Sequence, residues 1–257
     1  MYTEHPEFKP PENEEIKVWR YMDFTKFVSL IDTQCLYFAR ADKFDDPFEG
    51  SLPRKNVHAR TMLLASPDMP QDMSSGKINA LLDFENQLSG INRHMKKFVA
   101  INCWHANEHE SAAMWKLYLK SNDGIAIQST YKRLRDSIID DRRVYLGKVK
   151  YIDYENEVIR SNHGFAPYVH KRKSFEHEHE IRAVVTILWT TTDTKITEQE
   201  PVDHGIQIRI DIESLIEKIY IAPGTPNWFA DLVGAVTMRY NCTFKVVQSK
   251  LDEQPVF

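Results

Sequence analysis

Ser174 to Arg182 packs ionisable side chains just ahead of an apolar, β-branched run, Ala183 to Trp189. An extended chain points successive side chains to opposite faces. With the chain extended from Glu178 onward, Glu178, Glu180 and Arg182 share one face, while His177, His179 and Ile181 share the other. Carboxylates crowded at the mouth of a core strand cost free energy through desolvation and mutual repulsion. A ligand, a metal or catalysis accounts for that cost more readily than folding alone. A solvated strand entry with cross-strand ion pairs is the plainer alternative.

Three further clusters could do chemistry. Arg20 and Tyr21 end an early strand, where a guanidinium offers a planar donor fork to phosphate or carboxylate. Phe44 to Gly50 carries Asp45, Asp46 and Glu49 between two Phe residues. Asp-Pro and Glu-Gly pairs are also ordinary turn chemistry. Cys103 to Ser111, followed by Met114 and Trp115, runs from a strand end into a helix start, where open backbone N–H groups can take an anion. His105, His109, His177 and His179 are the candidates for zinc, though their spacing forms no metal motif. The basic runs Lys171-Arg172-Lys173 and Arg142-Arg143 are expected to be solvated loops.

The elements that must position these groups follow from periodicity and capping. Lys17 to Met22 alternates like a strand, and Asp23 is placed to cap a helix through Ile31. Strands are expected at 35–39, 97–104, 125–127, 144–151, 181–189, 206–210 and 243–247. Helices are expected at 110–119, 131–139 and 227–240, with a helix end running into a strand at 216–222. Met114, Trp115 and Tyr118 are expected on the buried face of the first of these. Residues 1–15, rich in Pro and Glu, are expected to form a mobile or loosely docked arm. Residues 16–257 are expected to form one α+β domain of mixed or antiparallel sheets with flanking helices. Within it, 51–95 is a candidate insertion or lid, with a loop near 66–75 and a helix over 77–96, and 190–203 is a polar hairpin loop.

The 257 residues are 42% hydrophobic and 27% charged, enough for a sizeable core. A formal net charge of −4 gives no global basic signature for nucleic acid. Cys35, Cys103 and Cys242 are few and odd in number, which argues against a disulfide framework and points to a cytoplasmic location. The first residues lack a signal-peptide pattern, and no run is long and apolar enough to span a membrane.

Taken in order, Trp19-Arg20-Tyr21, Leu36-Tyr37-Phe38, Asp45-Asp46-Pro47-Phe48-Glu49, Cys103-Trp104-His105, Glu110-Ser111 with Met114-Trp115, Gly124 to Ile127, and Ser174-Phe175 with Glu178, Glu180 and Arg182 form a recognisable series. It resembles a bacterial domain-of-unknown-function family noted near phage-defence genes, over roughly residues 16 to 250. At a greater distance the layout is similar to the ADP-ribosyltransferase fold, with its split sheet. That resemblance implies NAD as cofactor, no metal, and a transferase or glycohydrolase in the role of a defence effector or toxin. It implies Glu180 as the catalytic carboxylate with Glu178 beside it, and Arg20, Tyr21 and Tyr37 as ligand contacts. Asp46, Glu49, His105, Ser111, Trp115, Ser174 and Arg182 would line or support the pocket. The partner would be a nucleotide-type small molecule, with protein, nucleic acid or water as acceptor. Here Arg20 stands where many relatives have His, and Tyr37-Phe38-Ala39 replaces a Ser-Thr-Ser motif. Two other classes remain open: a metal-dependent nuclease or phosphodiesterase built on Asp45, Asp46, Glu178 and Glu180, and a non-catalytic nucleotide- or protein-sensing module.

Overall fold

The computed structural model describes residues 1–64, 75–119, 123–161, 163–187, 203–253 and 255–256, without the side chains of 60–64, 75–82 and 85. The expected loops near 66–75 and 190–203, and the strand end at Leu188 and Trp189, lie largely outside these residues. The chain begins with β1 (Lys17–Asp23), α1 (Phe24–Thr33) and β2 (Cys35–Arg40), then α2 (Arg54–Leu64) and α3 (Ser75–Met95). Next come β3 (Val99–Ala106), α4 (Ala112–Tyr118), β4 (Gly124–Thr130) and α5 (Tyr131–Asp136). The centre of the chain supplies β5 (Tyr145–Lys148), β6 (Lys150–Ile152), β7 (His170–Arg172) and β8 (Glu180–Thr186). It closes with β9 (Gly205–Arg209), α6 (Ile212–Leu215), β10 (Lys218–Ile221), α7 (Asn227–Arg239) and β11 (Lys245–Gln248).

Nine of the described strands form one sheet, ordered β11-β10-β4-β1-β3-β2-β9, with β8 pairing β3 and β5. Only β10 and β11 run parallel in it; β6 and β7 make a separate parallel pair. The class is α+β, a mixed and mostly antiparallel sheet with flanking helices. Its main core lies on one face. Val18, Met22, Trp104, Ile125, Ile127, Ile181 and Ala183 there meet Phe27 and Ile31 of α1, Leu134 of α5, Leu215 of α6, and Phe229 and Val233 of α7. These helices present apolar residues at three- and four-residue spacing, as burial of one helix face requires. The Asp23 side chain caps α1 by accepting the Lys26 N–H at 2.9 Å, and Gln34 ends it in the left-handed region at φ 50°.

The opposite face carries two smaller cores. One joins Val99, Ile101, Tyr145 and Val184 to Phe8, Phe165, Tyr168 and Val169. The other joins Trp19, Tyr21 and Ala126 to Met114 and Trp115 of α4. Between them the sheet opens. β8 runs along one edge of β3 from Val99 to His105. Along the other edge β2 pairs only at Ala100 and Ile101, and β1 only at His105 and Ala106. Among the described residues, the stretch of β3 between those contacts has no strand beside it on that edge.

Several expectations shift. The single strand expected over 144–151 breaks at Val149. There the backbone N–H reaches Glu180 O at 2.9 Å, and the chain leaves the large sheet to pair with β7. The segment before β8 is not extended: Lys173–Glu178 is a 3-10 turn, and His179 closes it at φ 40°. The N-terminal arm is docked rather than loose. Phe8 is buried in the second core, and Tyr2 bridges Val144. Gly147 admits that arm, because a Cβ there would stand 2.7 Å from the Phe8 backbone. In the candidate insertion, α2 is tied to the 153–159 turn by Asn56, which donates to Ile159 O and accepts the Ile159 N–H.

Candidate functional site

The opening beside β3 is where the sequence-predicted residues converge. Register fixes the first of them. Trp19 pairs with His105 and His105 with Glu180, so all three share the face that carries the smaller cores. Cys103 and Arg182 pair two residues further along and point the same way. Arg182 is 0% exposed, a buried guanidinium that must be neutralised. It donates Nε to Glu180 Oε1 at 2.7 Å and Nη2 to Glu180 Oε2 at 3.0 Å. Its Nη1 donates to Glu49 Oε1 and to Tyr168 O, both at 2.6 Å. Lys171 completes the cluster, donating to Glu178 Oε2 and, at 3.3 Å, to Glu180 Oε2.

Three carboxylates and two cations therefore share this dry space, and their environments separate them. Burial pushes the Glu180 carboxyl up, but attraction from Arg182 and Lys171 outweighs it and holds the group down to about 2. Burial raises the Glu49 carboxyl. Arg182 opposes that rise and neighbouring Glu180 adds to it, so the net shift is upward. One cation shared with a rival carboxylate does not offset the desolvation of Glu49; two cations do for Glu180.

Saturation distinguishes Glu180 from Glu178. Glu180 is 4% exposed and accepts from Arg182 Nε, Arg182 Nη2 and Lys171 Nζ. A carboxylate has about four lone-pair sites, so most of its acceptor capacity is spent, and on buried cations. Its backbone N–H is also fixed, donating to Tyr151 Oη at 2.8 Å. Among the described residues Glu178 has a single side-chain donor, Lys171, acting on Oε2. Oε1 keeps its lone pairs for another donor.

His105 stands behind Glu178. Its Nδ1 lies 2.6 Å from Glu178 O, and a carbonyl only accepts, so Nδ1 carries the proton. Burial lowers the pKa, which keeps the ring neutral. Nε2 then holds a lone pair and is buried, on a side chain 7% exposed, with no partner among the described residues. Tyr21 and His179 flank the ring, with centroids at 6.4 and 6.2 Å. A buried acceptor left unpaired is costly, and sites with such an atom commonly hold a ligand.

The other wall is aromatic and cationic. Tyr21 meets Trp115 edge-on at 4.9 Å, and its hydroxyl accepts the Ser111 N–H at 2.8 Å. Ser111 in turn caps α4 by accepting the Met114 N–H. Arg20 reaches into the gap from β1, donates Nη1 to Cys103 O at 3.1 Å and lies 6.0 Å over the Trp104 ring. It thus satisfies a carbonyl on the edge of β3 that no strand covers. Tyr118, at the end of α4, feels the carboxylates of Glu178 and Glu180 and the Arg20 guanidinium together. Tyr118 is 48% exposed, not buried as the sequence predicts; burial of its hydroxyl end, then Cys103 and those acids, raise its phenol well above the usual range. Arg20 shares the β1 face of Val18 and Met22 and lies over Trp104, so it reaches the parting from the main-core side. From the β2 side only the Tyr37 backbone joins, its O accepting from Asn102 Nδ2 at 2.8 Å; the ring, on a residue 46% exposed, lies over Gly205 of β9, on the side of β2 away from β3.

Not every predicted residue joins this space. Asp46 is ion-paired with Arg172 at 2.8 Å, so it braces the loop that carries Glu49. Ser174, His177 and His179 are exposed on and beside the 3-10 turn. Trp115 supports Tyr21 and donates Nε1 to Glu110 at 2.9 Å. Lys171 and Arg172 correct the expectation of a solvated basic loop, since both are engaged by acids. Tyr118, Tyr151, Lys171 and Cys103 are the residues that sequence reasoning missed as site members. The one available signal was the spacing of Lys171 to Glu178, a basic residue one short turn from the acids. The chain matches no family model, no curated protein and no solved structure. No helix among the described residues is long and apolar enough to cross a membrane.

Proposed function

We propose that the opening beside β3 binds a nucleotide, NAD or a close relative, and that the chain cleaves or transfers at its glycosidic bond. The observation that carries this reading is the buried His105 Nε2, unpaired among the described residues, beside Glu178 in the opening along β3. Such a ligand needs a cation for phosphate, a ring surface for the base, and a carboxylate where positive charge develops as the base departs. Arg20, the Tyr21–Trp115 wall and Glu178 are of these three types. An ADP-ribosyltransferase-like parting of the sheet fits the same reading.

The geometry alters the division of labour between the acids. Glu178 is the carboxylate with capacity to accept a ribose hydroxyl and face an oxocarbenium-like centre. Glu180 is the positioning residue: it holds Lys171 and Arg182, and Lys171 in turn holds Glu178. His105 Nε2 accepts a second ligand hydroxyl. The bond to the base breaks with its electrons leaving on the base, the acceptor oxygen or nitrogen forms the new bond at the same carbon, and the acceptor's proton passes to solvent. The nuclease reading has less support, because Asp46, Glu178 and Glu180 are engaged by Arg172, Lys171 and Arg182.

The test measures nicotinamide release from NAD by the intact protein, with water or candidate proteins and nucleic acids as acceptor. Glu178→Gln is expected to lower turnover by about 10²–10³-fold, the scale for losing one charge-stabilising group. Equal turnover by Glu178→Gln and wild type, or no NAD binding by the wild type, overturns the reading.

A further inference from the structure

A second hollow lies away from this opening. It encloses about 470 Å³ and is lined by Pro6, Glu7, Lys9, Lys150, Val158, Arg160, Ser161 and His170. Three of these residues, Lys9, Lys150 and Arg160, are cations brought together from the N-terminal arm, β6 and the connector before β7. None of the three has an ion-pair partner among the described residues. Glu7, the one acid in the lining, is engaged by the Ser161 hydroxyl. Elsewhere the chain pairs its converging cations: Arg135 with Glu14, Arg142 with Asp140, Lys17 with Glu217. Gathering three unpaired like charges around one concavity raises the local potential and favours a counter-anion.

The floor of the hollow is built rather than incidental. His170 is largely buried, and its Nδ1 lies 2.7 Å from Ala166 O, so the proton sits on Nδ1 and Nε2 is left as an acceptor. Burial first, then the Lys150 charge, lowers its pKa. Lys150 pairs with His170 in the parallel β6–β7 ladder, and Tyr151 with Lys171. Alternation turns Lys150 and His170 to the hollow, and Tyr151 and Lys171 to Glu178 and Glu180.

We infer that this hollow is a binding site for a small phosphorylated molecule bearing at least two phosphates. Three cations against one engaged acid call for more charge than a single carboxylate brings. Arg160 offers a two-pronged fork to phosphate oxygens, and Lys9 and Lys150 act as point charges. The volume suits a small molecule. Pro6 and Val158 supply an apolar wall for the part of the ligand without phosphate, and His170 Nε2 accepts one of its hydroxyls.

The probes are inorganic pyrophosphate and ADP, titrated calorimetrically into the intact protein. Both are expected to bind, and the double variant Lys150→Glu, Arg160→Glu is expected to weaken pyrophosphate at least tenfold, and ADP likewise when measured in the Arg20→Ala background. The two side chains are exposed, so the fold should be kept; Lys9→Glu supplies an independent variant on a different element and should also weaken pyrophosphate binding. Arg20→Ala separates the two sites, because pyrophosphate held here is unaffected by it. Absence of pyrophosphate binding, pyrophosphate binding that survives the double variant, or pyrophosphate binding lost in Arg20→Ala but not in Lys150→Glu, Arg160→Glu each overturns the assignment. None of these outcomes depends on nicotinamide release.

Discussion

Arg182 is the residue on which the buried charges depend. Removing one partner of a buried ionic cluster leaves the others uncompensated, at about 3–5 kcal/mol. Arg182→Met is therefore expected to lose about that much stability, read as a lower urea midpoint, because Glu49 and Glu180 are left without their shared cation. Glu180 sets the acid limit. Its folded-state pKa is depressed from 4.5 to about 2, so the stabilisation is complete above the unfolded value and lost as pH falls from about 4.5 through about 2. Glu180→Gln is expected to flatten stability against pH across that window; an unchanged acid limb would exclude this account. At this scale the sequence was half legible. Alternation placed Glu180 and Arg182 on one face because both lie in β8. It placed Glu178 there for the wrong reason, since Glu178 arrives from a 3-10 turn and is drawn in by Lys171. Glu49, more than a hundred residues away in sequence, has no local signal pointing to Arg182.

Elements were legible wherever their own residues decide them. α1 is delimited by its Asp23 cap and the Gln34 left-handed stop, and α4 by Ser111. What the sequence hid was pairing. Val144 to Tyr151 alternates without a break, yet only its first half stays in the large sheet, because Val149 spends its N–H on Glu180 O. The docking of the N-terminal arm was equally hidden. A Pro- and Glu-rich segment looks solvated, and its anchor is the missing side chain at Gly147. Gly147→Ala is expected to push the arm off β5 at about 1–3 kcal/mol, the usual range for forced overpacking. The expected signature is faster proteolysis near residues 5–10; an unchanged cleavage rate would exclude it.

For the whole molecule, the strand order ranks stability. β4, β1, β3 and β8 are central and back onto the main core, whereas β9 and β11 end the strand path and meet fewer buried residues. Amide exchange is expected to be slowest at Ile125 to Ile127 and Ala183 to Val185, and fastest among the strands at Lys245 to Gln248. A uniform exchange rate over all nine strands would contradict this ranking. The parting beside β3 has a mechanical consequence. Its two halves meet across that edge through two residue pairs at each end, with Arg20 clasping the interval. Such a seam yields like a purse mouth: a guest prising it wider strains side chains and hardly any backbone ladder, so accommodation is cheap there and expensive everywhere else in the sheet.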